Sequence, residues 1–173
     1  METNLYLLNS VIHLLAAVAC AAAPFYQLRM VNTRAKYGRA IIYNYAQSIE
    51  RILSVQPRLC FAFIVVLIVT GFALPVIFYA FHGHWRETSS LALAAFTVKT
   101  LLVFGGFGIV LYGLYAIDPK IQALFAQIKP DAPPPQPLLD EFWAWRIKRK
   151  KFCKVCFGLA VAILVITPLL RFY

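Results

Sequence analysis

Long uninterrupted apolar runs constrain this chain more than any other feature of its sequence. They lie at residues 5–28, 59–81, 91–117 and 153–170. Each run reaches the ~18–20 residues that an α-helix needs to cross the hydrocarbon core of a bilayer. The chain is 61% hydrophobic and only 14% charged, whereas soluble domains carry about 25% charged residues. The runs therefore predict four membrane-spanning helices rather than the core of a soluble globule.

Most basic residues lie in two of the predicted loops, and this distribution predicts how the helices are oriented in the membrane. Six lie between the first and second runs and eight between the third and fourth, whereas Arg86 and Arg171 lie on the other side. The positive-inside rule then places both long loops in the cytoplasm and both termini outside. Attraction of these loops to anionic lipid head groups accounts for the net charge of +10, so membrane lipids and not nucleic acid are the expected partners.

These features predict a single all-α domain over residues 1–173, an integral membrane antiparallel four-helix bundle. Two further segments, both predicted to be cytoplasmic, are expected to form helices at the membrane interface. Residues 33–57 carry apolar side chains at helical spacing until Pro57, which is expected to break the helix. Residues 138–152 follow a proline-rich linker at 130–137 and combine three aromatic side chains with a run of basic residues.

Two ionisable residues lie inside the runs, His13 in the first and Lys99 in the third. Both are expected ~12–14 Å below the outer boundary, because a helix rises 1.5 Å per residue. A cation at that depth costs ~2.5–3.5 kcal/mol, so a partner or a function is the default interpretation. The alternatives are a His13 that hydrogen-bonds a neighbouring helix and a Lys99 that snorkels outward.

Small residues occur in the same two runs as His13 and Lys99. Alanines follow His13 in AAVACAAA, and residues 105–108 read GGFG. Such surfaces allow the close approach either of a neighbouring helix or of a flat macrocycle ligated by His13.

The order of several short motifs resembles that of one membrane family. His13 is followed by Phe25, Tyr26 and Arg29 in HLLAAVACAAAPFYQLR, a Thr-Gly pair lies in the second run, and a Val-Lys pair opens the third. A basic run then enters the fourth. In this order the chain is similar to the HemJ-type protoporphyrinogen oxidases and the wider CopD-like membrane superfamily.

The resemblance implies a haem b group and a location in the bacterial inner membrane. It implicates His13 and Lys99 in cofactor binding, and Lys99 with Arg29 in catalysis at the site and at its cytoplasmic exit. The implied chemistry is porphyrinogen oxidation or another membrane electron transfer, with a porphyrin or a quinone as partner.

Some features of the HemJ pattern are absent from this chain, and their absence supports an alternative function. The chain has no histidine near the end of the third run and reads CKVCFGLA where the family has Asn-Glu-x-Pro. A non-catalytic accessory subunit of a larger respiratory or photosynthetic membrane complex, or a homo-oligomer, therefore remains open.

His82 and His84 form an HxH motif on the predicted outer loop. Transition metals such as copper favour imidazole ligands, so a weak surface copper site is one interpretation. A second is that one of these histidines serves as the other axial ligand of a haem held by His13. A copper-uptake protein is therefore a third functional hypothesis.

The four cysteines are predicted to be reduced packing residues. Cys60, Cys153 and Cys156 fall at the cytoplasmic ends of their runs, where thiols stay reduced. The CxxC of the last run lacks a second ligand pair for zinc. Small apolar filler is the role that this pattern favours.

Overall fold

The computed structural model describes residues 2–35, 43–85, 89–129 and 132–167. Over these residues the chain is helical and contains no strand. The elements in chain order are α1 (Glu2–Ala35), α2 (Tyr43–His82), α3 (Ser90–Tyr112), a π-helical turn (Gly113–Ile117), α4 (Asp118–Phe125) and α5 (Gln136–Ile166). The all-α prediction is confirmed.

Three helical stretches are long and apolar enough to cross a membrane. They are Glu2–Thr33, Ala46–His82 and Ser90–Phe125, the last of which runs through α3, the π-helical turn and α4. Large apolar side chains point outward along them, for example Leu14 and Leu101, which are 64% and 68% exposed. Such surfaces are covered by lipid in a membrane, so the chain has the character of a membrane protein. The fourth span at 153–170 stays a prediction, because residues 168–170 lie outside the described part.

The two interfacial helices expected as separate elements are instead extensions of longer helices. α2 begins at Tyr43 and passes through Pro57 without a break. α5 begins at Gln136 and continues to Ile166. Proline removes one backbone hydrogen bond, and helices packed against neighbours in a membrane tolerate that loss. Residues 36–42 of the first amphipathic segment lie outside the described residues, as do Arg86 and Arg171.

The long helices surround a common axis. α1 packs against α2 and α5, and α3 packs against the same two helices from the other side. α1 and α3 therefore lie diagonally across the bundle. We call the end of the bundle that carries Arg29, Arg58 and Arg146 the basic end.

A buried apolar cluster lies at the basic end. Ala46 of α2, Phe125 of α4 and Phe142 of α5 belong to one buried apolar cluster together with four further residues, Ile117, Ile121, Leu124 and Ile128. The hydrophobic effect acts where helices meet water, whereas it supplies no drive for helix association among lipid tails. This distribution places the conventional hydrophobic core beside the predicted cytoplasmic surface.

An ionic cluster lies against that core. Glu50 of α2 is 1% exposed and accepts hydrogen bonds from the guanidinium groups of Arg146 and Arg149 of α5. Arg149 Nη2 lies 2.9 Å from Glu50 Oε2, and Arg149 Nη1 lies 4.0 Å from Oδ1 of Asp118, the first residue of α4. The Arg146 guanidinium also stacks 4.8 Å above the Phe142 ring. One carboxylate therefore ties the start of α2 to α5.

We expect Glu50→Gln to lower the free energy of unfolding by about 3–5 kcal/mol, because it leaves the two buried guanidinium groups with Asp118 as their one remaining counter-charge among the described residues. A titration with denaturing detergent, followed by circular dichroism, measures this change. The matched control is Glu141→Gln, which removes a carboxylate whose 3.1 Å ion pair with Lys120 is exposed. That change should cost no more than about 1 kcal/mol. Equal losses in the two variants would contradict the structural role of Glu50.

Candidate functional sites along the bundle axis

His13 is held by a residue of the neighbouring helix. Its Nδ1 atom lies 2.7 Å from the Thr70 hydroxyl oxygen of α2. The same hydroxyl lies 2.6 Å from the Val66 carbonyl oxygen one turn earlier. A hydroxyl carries one proton, which it donates to that carbonyl, so its oxygen accepts a hydrogen bond from His13 Nδ1–H. The proton of a neutral imidazole then lies on Nδ1, and the Nε2 lone pair is left available to a metal.

Two further contacts shape the surroundings of this imidazole. Asn9, one helical turn before His13, donates from Nδ2 to the Thr70 carbonyl oxygen at 2.9 Å. Gly71 lies under the ring, where an added Cβ would be 3.4 Å from His13 Cε1. The Thr-Gly pair of α2 thus supplies both a hydrogen-bond acceptor and a flat surface. Histidines that bind metals commonly have their other ring nitrogen oriented in this way.

Lys99 lies on the diagonally opposite helix and interacts electrostatically with His13. Within the described residues its ammonium group has neither a hydrogen bond nor an ion pair, although the residue is half-buried. An unpaired cation in a spanning helix is costly and suits an anionic partner. The half of the bundle away from the basic end therefore contains a fixed imidazole and a cation that has no counter-charge among the described residues.

The other predicted site residues lie elsewhere. Arg29 is exposed on α1, sixteen positions from His13, which corresponds to a rise of about 24 Å. His82 is twelve positions from Thr70 along α2, a rise of about 18 Å. The structure brings His13 and Lys99 into one region but brings neither Arg29 nor His82 to it.

The HxH motif is held by its own helix end. His82 Nδ1 lies 3.1 Å from the Phe78 carbonyl oxygen, and its ring stacks on Phe78. His84 Nδ1 lies 2.9 Å from the His82 carbonyl oxygen. Across the described ranges no three histidine, cysteine or acidic side chains form a group able to hold a metal ion. Besides these two imidazoles, the Glu2 carboxylate of α1 lies 3.5 Å from His82 Nδ1.

A cavity of about 120 Å³ lies on the axis between His13 and the basic end. Leu67 and Leu102 line its upper part. Leu67 precedes Thr70 by three positions, and Leu102 follows Lys99 by three. Its lower part is lined by polar side chains from three helices, Gln27, Asp118 and Arg149. The axis thus passes from a polar layer through an apolar space to the ionic cluster.

All four cysteines line this cavity: Cys20 from α1, Cys60 from α2, and Cys153 and Cys156 from α5. Each is a free thiol. The packing role predicted for them agrees with their apolar surroundings. Their convergence from three helices was not visible from the spacing of any one segment.

Sequence reasoning missed Asn9 and the buried arginines, although local signals pointed to them. Asn9 and His13 are four positions apart, which puts two polar side chains on one face of an apolar helix. The buried residues of α5 are Phe142, Arg146, Arg149 and Cys153. Their 4-3-4 spacing marks the two arginines as occupants of core positions, not of a solvated face.

Comparison of the chain with protein-family models, with curated proteins and with solved structures finds no match. The assignment of a function therefore depends on the geometry described above.

A double-mutant cycle between His13→Leu and Thr70→Val tests the interhelical hydrogen bond. We expect a coupling energy of about 0.6–1.7 kcal/mol, the range measured for such bonds in membranes. Unfolding free energies of the wild type, both single variants and the double variant give this value. The pair His84→Ala and Thr70→Val serves as the control and should be additive, because the two sites are far apart. Additivity of the first pair would contradict the bond.

Proposed function

We propose that this protein binds haem b in the membrane with His13 as an axial ligand, and that it acts in porphyrinogen oxidation or another membrane electron transfer. The observation that carries the proposal is the bond between His13 Nδ1 and Thr70, which leaves Nε2 as the metal-binding atom. An acceptor that binds the other ring nitrogen in this way fixes the tautomer and the orientation of the imidazole and raises its basicity as a ligand. The donor chemistry therefore fits a haem iron.

Lys99 has the properties of a partner for the carboxylates of a porphyrin. Its ammonium group has no counter-charge among the described residues and interacts with His13 across the axis. A carboxylate beside it would neutralise the charge within the low dielectric of the membrane. In this proposal Lys99 orients the macrocycle, whether bound as cofactor or as substrate.

The space around His13 limits where a macrocycle can bind. A cavity of ~150 Å³ accommodates one benzene ring, so the axial cavity of about 120 Å³ is too small for a porphyrin. Of the small side chains after His13, Ala16 is already buried and Ala17 is half-buried, so in this proposal a macrocycle on His13 lies outside the cavity, beside Ala17. Haem, when bound there, supplies one-electron chemistry, and the protein residues set its ligation and orientation.

The absorption spectrum tests this proposal directly. Protein purified with haem, or titrated with it in detergent, should show a Soret band that disappears in His13→Ala. The Thr70→Val variant should keep His13 but bind haem about 10–100-fold more weakly, since the imidazole loses its orienting acceptor.

His82→Ala and His84→Ala are the matched controls, because each removes an imidazole from the same end of the bundle. Both should retain the Soret band with an unchanged wavelength. A spectrum that is indifferent to His13→Ala would refute the role of His13. Failure of the wild-type protein to bind haem at all would refute the proposed function.

The size of the axial cavity favours one alternative. A bundle whose internal space excludes a porphyrin also fits an accessory subunit of a larger respiratory or photosynthetic membrane complex. Such a subunit would be colourless and would co-purify with larger membrane chains in fixed stoichiometry. Copper uptake, the third hypothesis, would require copper retention that is lost in His82→Ala and His84→Ala.

A further inference from the structure

The ammonium group of Lys148 is held at the surface of the seam between α3 and α5. It donates a hydrogen bond to the Tyr112 hydroxyl oxygen at 2.7 Å. It also lies 5.2 Å from the centre of the Tyr112 ring and 4.6 Å from that of Trp145. The Tyr112 ring in turn stacks on Phe152, with 5.2 Å between the ring centres. Aromatic rings from two helices therefore fix the position of one cation.

This arrangement leaves hydrogen-bond donors for a ligand. An ammonium group has three protons, and Tyr112 takes one of them. The Tyr112 oxygen accepts that bond, so the hydroxyl keeps its own proton to donate elsewhere. In the part of the chain that the structure describes, this proton has no acceptor and Lys148 has no carboxylate partner. Two adjacent side chains thus offer donors and one uncompensated positive charge, which suits the oxygen atoms of an anion.

The charges along α5 also favour an anion. Lys151, three positions after Lys148, is exposed and adds a second cation beside the first. Glu141 lies on the same face of α5, but it is about 10 Å away along the helix and pairs with Lys120 at 3.1 Å. A head group that carries its own amine would therefore be repelled by the two lysines and would gain no free carboxylate on this face.

The level of this cation along the bundle indicates where the anion comes from. Tyr112 lies near the end of the third apolar run, and Lys148 lies five positions before the fourth. Tyrosine and tryptophan at the ends of spanning helices sit at the level of the lipid head groups. The cation and its two rings are therefore at the height of the phosphate groups in the leaflet at the basic end.

An apolar strip continues from these donors toward the middle of the membrane. Gly108 precedes Tyr112 by four positions on the same face of α3, is exposed, and would carry a Cβ with nothing within 4 Å. Val155 follows Lys148 by seven positions on the same face of α5 and is 51% exposed. The two helices run in opposite directions, so both residues lie on the membrane side of the donors. An acyl chain fits beside Gly108, whereas a free phosphate would leave this strip unused.

We infer that the seam between α3 and α5 binds one anionic phospholipid of the phosphatidylglycerol class, which has a phosphate and an uncharged head alcohol. Its phosphate accepts hydrogen bonds from Lys148 and Tyr112, and an acyl chain lies beside Gly108. The general attraction of basic loops to anionic membranes defines no particular site, whereas these residues define one. The site contains neither His13 nor Lys99, so it is independent of haem binding.

Native mass spectrometry of the intact protein tests the inference. The protein is placed in nanodiscs with equal amounts of phosphatidylglycerol and phosphatidylethanolamine and released into mild detergent, and the lipids that stay bound are identified. We expect the wild type to retain phosphatidylglycerol in preference. Lys148→Gln should lower this retention about tenfold, because it removes a hydrogen bond from a charged donor. The matched control is Lys154→Gln, an equal change of charge at an exposed position about 120° around the helix, which should stay within about twofold.

Tyr112→Phe provides a test with no change of charge. It keeps the ring on Phe152 and removes only the hydroxyl, so retention should fall about fivefold or more. Tyr26→Phe, at an exposed tyrosine of α1, is the control and should not change it. If Lys148→Gln does not fold, as judged by circular dichroism, this pair decides the question.

Gly108→Leu tests the position of the acyl chain. The new side chain occupies the strip but leaves both donors in place, so retention of phosphatidylglycerol should fall at least about twofold through lost packing contacts. Unchanged retention in this variant would contradict the placement of the chain beside α3.

Three further outcomes would overturn the inference. The first is equal retention in Lys148→Gln and Lys154→Gln, which would show that only the net charge matters. The second is retention of phosphatidylethanolamine as strong as that of phosphatidylglycerol. The third is displacement of the lipid by millimolar inorganic phosphate, which would show that the donors take a soluble anion and that the strip adds nothing.

Discussion

The carboxylate of Glu50 lies between two arginines of α5 at the basic end, and the remaining helix packing depends on this arrangement. In lipid, helices gain nothing from burying apolar surface against each other, so the energy that fixes their rotation comes from close packing and from polar contacts. Glu50 joins the start of α2 to α5 through Arg146 and Arg149. Asp118 is buried beside Arg149 immediately after the π-helical turn, which changes the face that the helix presents.

This constraint organises the axis of the bundle into three layers. The ionic cluster and its adjoining apolar core fix the basic end. Above them, small and apolar side chains enclose a cavity whose lower end exposes unused donors of Arg149. Above the cavity, Thr70 holds His13, and α3 carries Lys99 on the diagonally opposite side of the bundle.

Much of this organisation follows from local sequence, and some of it does not. The expected depth of His13 and Lys99 follows from their positions within two apolar runs, because helical rise is constant. Pro57 is an exception, because a proline that would end a helix in water is retained within α2. The basic run that contains Arg146 and Arg149 predicts an interfacial helix but not the burial of these two side chains, because charge alone does not tell which side of a helix is covered.

The sequence by itself determined the helical class, the membrane character of the long apolar helices and the concentration of basic residues at one end. These properties depend on composition, run length and spacing, all of which are local. Only the tertiary structure decided that Thr70 meets His13, that Glu50 meets two arginines, and that four cysteines from three helices line one cavity. Such contacts depend on how each helix is rotated about its axis and which helix lies beside it. That choice is made jointly by all the helices, and no single segment encodes it.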